Sequence, residues 1–298
     1  MMEESFLFYE ELPDGTAAVS GAPEGRRRII IPETIGGMTV SAIAAHAFAD
    51  REDIREIVLP GTVRFIGNYA FHYCSRLEHL LLKDSVEEYG DGVIRVCSSL
   101  SLIDITMQNG RWRLLREMTG DTDAELFFRL SFPDGRAELL FPKYYNAHRE
   151  DPWARAIHQS IVGAGYAYRQ CVSRTGIDYR QYDACFTRIA QVDPLTGGRI
   201  ALARLMEPYR LQEKAAALYR DYLPEAAEML IPYLTEQADA SRIRFLLRNA
   251  DIPRHLLEEG AGLASDRGLT EICSLFMDQL GRQEGAAGMT SFDLDDWE

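Results

Sequence analysis

The sequence predicts an α+β protein: a short N-terminal β-solenoid, then a β-hairpin connector, then an all-α helical domain. Three observations carry this expectation. A 23-residue period runs through the first third of the chain, since Phe48, Phe71 and Ile94 fall at that spacing, as do Cys74 and Cys97, and Leu77 and Leu100. A Pro133-Asp134-Gly135 turn then separates two runs rich in apolar residues, and from Asp151 onward the residues favour helices joined by short links. The chain of 298 residues exceeds the roughly 100–200 typical of one domain. The expected divisions are a repeat domain with an N-terminal hairpin cap at 1–106, the connector at 107–148, the helical domain at 149–282 and a disordered acidic tail at 283–298.

Each repeat unit alternates. Ile57 and Leu59, then Leu80 and Leu82, flank Val58 and Leu81, the period-two pattern of a strand with one buried face. One such unit cannot bury its apolar edge alone, so neighbours must stack. A second apolar cluster, Val63-Arg64-Phe65-Ile66-Gly67, recurs as Val86-Glu87-Glu88-Tyr89-Gly90, with glycine permitting the turn that follows. The last unit drifts: Val93-Ile94 replaces Ala-Phe, and Asp104 enters the outward column of Ile30, Val58 and Leu81. Terminal repeats cap a stack and are atypical, so the array is expected to end near Ile105.

The phrases Ile31-Pro32, Ile35-Gly36-Gly37-Met38-Thr39-Val40, Ala47-Phe48, Leu59-Pro60-Gly61-Thr62-Val63-Arg64-Phe65-Ile66-Gly67-Asn68-Tyr69-Ala70-Phe71 and Cys74-Ser75-Arg76-Leu77 resemble the BspA-type leucine-rich repeats of bacterial proteins. The resemblance covers roughly residues 15–106 and implies a right-handed solenoid used for protein interaction. Many members of that family are surface proteins. Here residues 1–12 carry Glu3, Glu4, Glu10 and Glu11 in place of the basic start and longer apolar run of an export signal, so the expected location is the cytoplasm.

After the array, Trp112-Arg113-Leu114-Leu115, 125–132 and 136–141 read as strands around the Pro133-Asp134-Gly135 turn. Pro13-Asp14-Gly15 likewise joins 6–9 to 17–19, a hairpin placed to cover the exposed start of a solenoid. Asp151-Pro152-Trp153 offers an N-cap followed by proline at the first helical position, and predicts a helix to about Val162. Further helices are expected at 179–191, 198–206, 212–222, 224–236, 241–249, 253–265 and 269–280, lengths that suit antiparallel pairs. The stretch 240–280 resembles stacked short helices of the ankyrin kind without their Thr-Pro-Leu-His fingerprint. The region after the array also resembles helical segments of unknown function that follow such repeats in bacterial proteins, which implies no activity.

Composition narrows the function classes. Hydrophobic residues at 46% and charged residues at 26% are ordinary for a folded soluble chain, and no run of about 18 apolar residues is present to span a membrane. A net charge of −14 opposes nucleic acid and anionic membrane surfaces. The five cysteines, Cys74, Cys97, Cys171, Cys185 and Cys273, contain no CxxC pair, so they indicate neither a disulfide framework nor a zinc site.

No catalytic, cofactor or metal residue is assigned. The sharpest enzymatic idea pairs Cys171 or Cys185 with His158, but no nucleophile signature surrounds either cysteine. The histidines lack HExxH spacing, and Gly36-Gly37 and Gly197-Gly198 lack a phosphate-loop context. Candidate partner-binding residues fall in three groups. Ile30, Val58 and Leu81 form the outward column, flanked by Glu56 and His79; apolar surface of this kind marks interaction sites, unless a hairpin or the helical domain covers it. Tyr168, Arg169 and Tyr182 combine residue types enriched at interfaces; the alternative is core packing with Arg169 paired to Asp178 or Asp183. Phe292 and Trp297 in the acidic tail suit a docking peptide, or a merely disordered end. The leading expectation is a scaffold that binds an unidentified protein through the repeat strands and the helical domain. One alternative is an enzyme with its site near Arg169 and Tyr182 to which the repeats recruit a protein substrate; another makes the repeats a structural brace.

Overall fold

The computed structural model describes residues 6–151 and 156–289, with side chains at 6–145 and 161–284. The chain divides into two compact units, Met1–Cys185 and Phe186–Glu298.

In the first unit, β1 (Phe8–Glu11) and β2 (Ala17–Gly21) form the hairpin expected around Pro13-Asp14-Gly15. The Asp14 carboxylate accepts from both the amide and the hydroxyl of Thr16, and Gly15 takes the left-handed backbone, φ +80°, that such a turn favours. Then follow β3 (Arg28–Ile30), β4 (Thr34–Ile35), β5 (Met38–Ile43), β6 (Glu56–Val58), β7 (Phe65–Ile66), β8 (His79–Lys83), β9 (Glu88–Tyr89) and β10 (Leu102–Thr106). They alternate between two sheets. One runs β1-β2-β5-β7-β9, with β4 paired on β5, and the other contains β3-β6-β8-β10 in parallel.

The 23-residue period reappears in the backbone and the core. Left-handed positions recur at His46, Tyr69 and Gly92, and again at Asp50, Tyr73 and Val96, so every unit turns its corner with the same two residues. Between the sheets Phe48 stacks on Phe71 at 5.9 Å, and the Cys74 and Cys97 thiols donate to Phe48 O and Phe71 O, each at 3.0 Å. Gly67 and Gly90 serve close approach rather than a turn: a Cβ there would lie 2.4 Å from Ala45 N and 2.6 Å from Asn68 N respectively. A substituent would therefore push adjacent units apart.

The sheet continues past the last repeat strand, which ends at Thr106. Residues 113–121 form a helix, α1 (Arg113–Asp121), after which β11 (Leu126–Phe132) joins β10 in parallel with Phe128 opposite Ile103, and β12 (Gly135–Phe141) returns antiparallel. The expected connector hairpin is thus two further strands of the repeat sheet, closed by the Pro133-Asp134 turn. Trp112-Arg113-Leu114-Leu115, expected as a strand, is the entry to α1. Leu114, Leu115 and Met118 are its buried residues, and that i, i+4 spacing satisfies a helix lying over the core better than a two-faced strand.

The helix expected from Asp151 to Val162 is a second hairpin, β13 (Tyr145–Asp151) and β14 (Ala156–Val162), with Tyr145 opposite Val162. Asp-Pro reads as a turn as readily as a helix start, and β-branched Ile157, Ile161 and Val162 favour the strand. Trp153 lies outside the described residues. α2 (Gly165–Arg169) and α3 (Tyr179–Ala184) complete this unit.

The second unit is wholly helical among its described residues: α4 (Phe186–Val192), α5 (Pro194–Met206), α6 (Glu213–Glu236), α7 (Ala240–Asn249), α8 (Arg254–Asp266) and α9 (Thr270–Met289). Asp193 and Asp239 cap α5 and α7 through Thr196 N and Arg242 N, the usual role of a short carboxylate before a helix. Two expectations change. The helices anticipated at 212–222 and 224–236 are one, because α6 continues through Pro224 and Pro232; buried Leu223, Ala226, Ala227 and Leu230 on both sides of Pro224 supply packing that offsets the lost backbone bond. The Gly285-Ala286-Ala287-Gly288 segment, expected as a flexible link, is the last part of α9.

Candidate functional site

Register builds the site. Along β3, β6, β8, β10, β11 and β12 the paired residues Ile29, Ile57, Leu80, Ile103, Phe128 and Leu139 all point inward and are buried. One residue on, Ile30, Val58, Leu81, Asp104, Arg129 and Glu138 form the matching outward row. Beside it Arg28, Glu56, His79 and Leu102 are also in register. The structure therefore brings Ile30, Glu56, Val58, His79 and Leu81 onto one face. Ile30 is 44% exposed at the free edge of the sheet, while Val58 and Leu81 are half-buried by their neighbours.

The polar side chains on this face pair across strands, Arg28–Glu56 and Arg129–Glu138 as direct neighbours and His79–Asp104 as a diagonal pair. Arg28 Nε meets Glu56 Oε1 at 2.7 Å, His79 Nε2 meets Asp104 Oδ2 at 2.5 Å, and Arg129 Nε meets Glu138 Oε1 at 3.2 Å. Asp104, which interrupts the apolar column, is thus the counterpart of His79 one strand away. Sequence reasoning missed Arg129 and Glu138 because the period breaks at α1; the Pro133-Asp134-Gly135 hairpin signal could have found them, had it been placed on the same sheet.

Tyr168, Arg169 and Tyr182 lie elsewhere and are buried, Tyr168 and Tyr182 at 0% and Arg169 at 2% exposure. As they stand they offer no surface to a partner. Tyr182 docks on the outer edge of β12, donating its hydroxyl to Leu140 O at 2.7 Å and accepting from Leu140 N at 2.9 Å. This covers backbone that would otherwise be an open sheet edge. Arg169 does not pair with Asp178 or Asp183. Its guanidinium donates to Thr119 O, Pro142 O, Gly165 O and Ala124 O and stacks on the Tyr144 ring, 4.7 Å from the centroid. Burial pulls its pKa down to about 10. Phe292 and Trp297 lie outside the described residues.

Four of the five cysteines lie in two neighbouring pairs, all as free thiols. Cys97 and Cys74 are close enough for a thiol hydrogen bond, which pushes Cys97 up and Cys74 down. The free Cys171 thiol lies beside that of Cys185, and this contact together with burial drives it well above the ordinary value. This is opposite to the activation a nucleophilic cysteine needs. The side chain of His158 lies outside the description. No helix among the described residues is long and apolar enough to cross a membrane.

Residues 28–111 match the model of the BspA type leucine rich repeat region, in six copies, so this segment is a BspA-type array. Similar solved structures include a leucine-rich repeat protein from Bacteroides ovatus, 31% identical over 34% of this chain and 30% of its own, with a TM-score of 0.31. A leucine rich cell surface protein from Faecalibacterium prausnitzii is 21% identical over 44% of this chain and 42% of its own, TM-score 0.30. A leucine-rich repeat protein from Bacteroides capillosus is 21% identical over 35% of this chain and 96% of its own, TM-score 0.28. The chain spans less than a third of the length of the first of these. No curated protein matches it.

Proposed function

We propose that this chain, whose repeat segment is a BspA-type array, is a non-catalytic scaffold that docks another protein on the outer face of the β3-β6-β8-β10 sheet. The observation that carries the reading is the division of labour on that face. Each polar side chain named above is hydrogen-bonded to a neighbour in the sheet, whereas Ile30, Val58 and Leu81 form an apolar row that remains partly accessible. Fully burying such a side chain is worth about 1.5–3 kcal/mol, and a partner gains the fraction still open. The partner expected is a protein with an apolar strip, not a polyanion, and the association depends little on salt, since the Arg28–Glu56 and Arg129–Glu138 charges are already paired and the contact is apolar. We place the protein in the cytoplasm, where its five free thiols stay reduced.

The test is affinity capture from native cell extract with the intact chain, the double variant Val58→Glu/Leu81→Glu, and a chain ending at Met289. The reading expects a partner on the intact chain that is lost from the double variant while its circular dichroism is unchanged. Loss on truncation alone would move the docking element to the segment holding Phe292 and Trp297. Equal capture by all three forms, or by none, contradicts the reading.

A further inference from the structure

A cleft of about 430 Å³ lies beside α1 in the first unit, lined by Tyr89, Asp91, Arg95, Arg116, Glu117, Gly120, Asp121 and Arg174 among others. None of these residues belongs to the outer sheet face. At its base Asp121, whose side chain is 4% exposed, accepts from Ile94 N at 2.8 Å and Tyr89 Oη at 3.1 Å. Asp121 is thus committed to holding the last repeat turn against α1.

The acidic groups of the cleft are already engaged. Asp91 meets Arg95 at 3.1 Å, Arg95 reaches Asp121 at 3.6 Å, and Glu117 is shared between Arg113 and Arg174 at 3.6 Å each. Arg116 is different: among the described residues its guanidinium has no hydrogen bond or ion pair, although it is half-buried in the cleft. A guanidinium is a rigid fork of donors that matches oxyanions, and this one has no counter-charge.

Gly120, the second-last residue of α1, lines the same cleft. Within a helix glycine costs about 1 kcal/mol relative to alanine and is usually kept for a positive φ or a close neighbour. Gly120 has neither: its backbone is not left-handed, and a Cβ there would meet nothing within 4 Å. It is an exposed position on the cleft wall, so a larger side chain there would project into the space beside Arg116.

We propose that this cleft binds a small multivalent oxyanion, a phosphate or a compact polycarboxylate, with Arg116 as the primary contact and Arg95 and Arg174 flanking it. The volume suits a small metabolite, since ligand pockets run from about 300 to 1,000 Å³. The chain's charge of −14 disfavours an extended polyanion at the same place.

Isothermal titration of the full chain with inorganic phosphate, pyrophosphate and citrate at low salt tests this. At least one is expected to bind saturably at one site per chain. Arg116→Ala weakens it at least about tenfold, the size expected for losing one charged hydrogen bond, and Gly120→Leu weakens it by occupying the space beside Arg116, whereas exposed Arg76→Ala leaves it unchanged. Gly120→Leu fills open space and is expected to hold or raise the melting temperature, so it decides the matter if Arg116→Ala is unstable. Absence of saturable binding with all three anions, or binding that survives both variants, overturns the proposal. Either result leaves the outer-face reading standing, because the two sites share no residue.

Discussion

The repeats and the segment that closes them, residues 107–185, build one sheet by opposite means. In the repeats the same contact is made again every 23 residues: Phe48 on Phe71, Cys74 to Phe48 O and Cys97 to Phe71 O. In the closing segment each contact is made once. Arg169 satisfies four carbonyls, Tyr182 covers the edge at Leu140, and Asp121 gathers Ile94 N and Tyr89 Oη. Translational symmetry lets a solenoid reuse one solution for its core, but the point where it ends needs polar groups chosen individually, because backbone left open there is costly.

The comparison can be broken first at its repeated core. Phe71→Ala, at 0% exposure, is expected to cost about 3–5 kcal/mol, read by urea unfolding. Arg169→Ala comes next at about 3 kcal/mol, because it strands four acceptors; Arg169→Lys recovers little, since one ammonium cannot span them. A loss under about 1 kcal/mol would show that the closure does not depend on this side chain. Asp84→Ala follows at about 2 kcal/mol, as the fully buried carboxylate accepts from Gln108 N, Asn109 N, Asn109 Nδ2 and Arg111 N and so ties the turn after β8 to the start of the closing segment.

Smaller effects separate the two ends by pH. Near the start, the Arg51 guanidinium holds Asp53 down to about 2 from its ordinary 3.8. Its stabilisation is complete above the ordinary value and is lost as pH falls through about 2, so Asp53→Asn is expected to lose stability at neutral pH and to converge with the parent near pH 2. Near the end, burial raises Asp121 above 3.8. The folded state holds that proton more tightly, so its ionisation costs stability as pH climbs from 3.8 through the raised value. Asp121→Asn should flatten that slope in thermal melts across pH, and an unchanged slope would contradict the assignment. Val58→Glu/Leu81→Glu should cost about 1–2 kcal/mol, because both sit half-buried on the outer face and the new carboxylates stand opposite each other and Asp104.

This contrast also explains what was legible in the sequence. The solenoid, its inward and outward rows and both Pro-Asp-Gly hairpins could be read from spacing alone. The continuation into β11 could not, because α1 interrupts the period and Leu114-Leu115 suits either structure locally. Tyr168, Arg169 and Tyr182 have the composition of a recognition surface, yet burial depends on distant partners such as Thr119 and Leu140, which no local pattern announces. The Arg116 cleft was invisible for the same reason. Its residues come from positions 89 to 174, and that Arg116 is left without an ion-pair partner among them is a matter of placement that no local pattern announces.

The most direct test of the central claim is a titration of the captured partner against the intact chain and against Val58→Glu/Leu81→Glu, at low and high salt. The outer-face account predicts at least about tenfold weaker binding for the double variant, with the intact chain nearly indifferent to salt. Equal affinity for both forms, or affinity that collapses with salt, would contradict it.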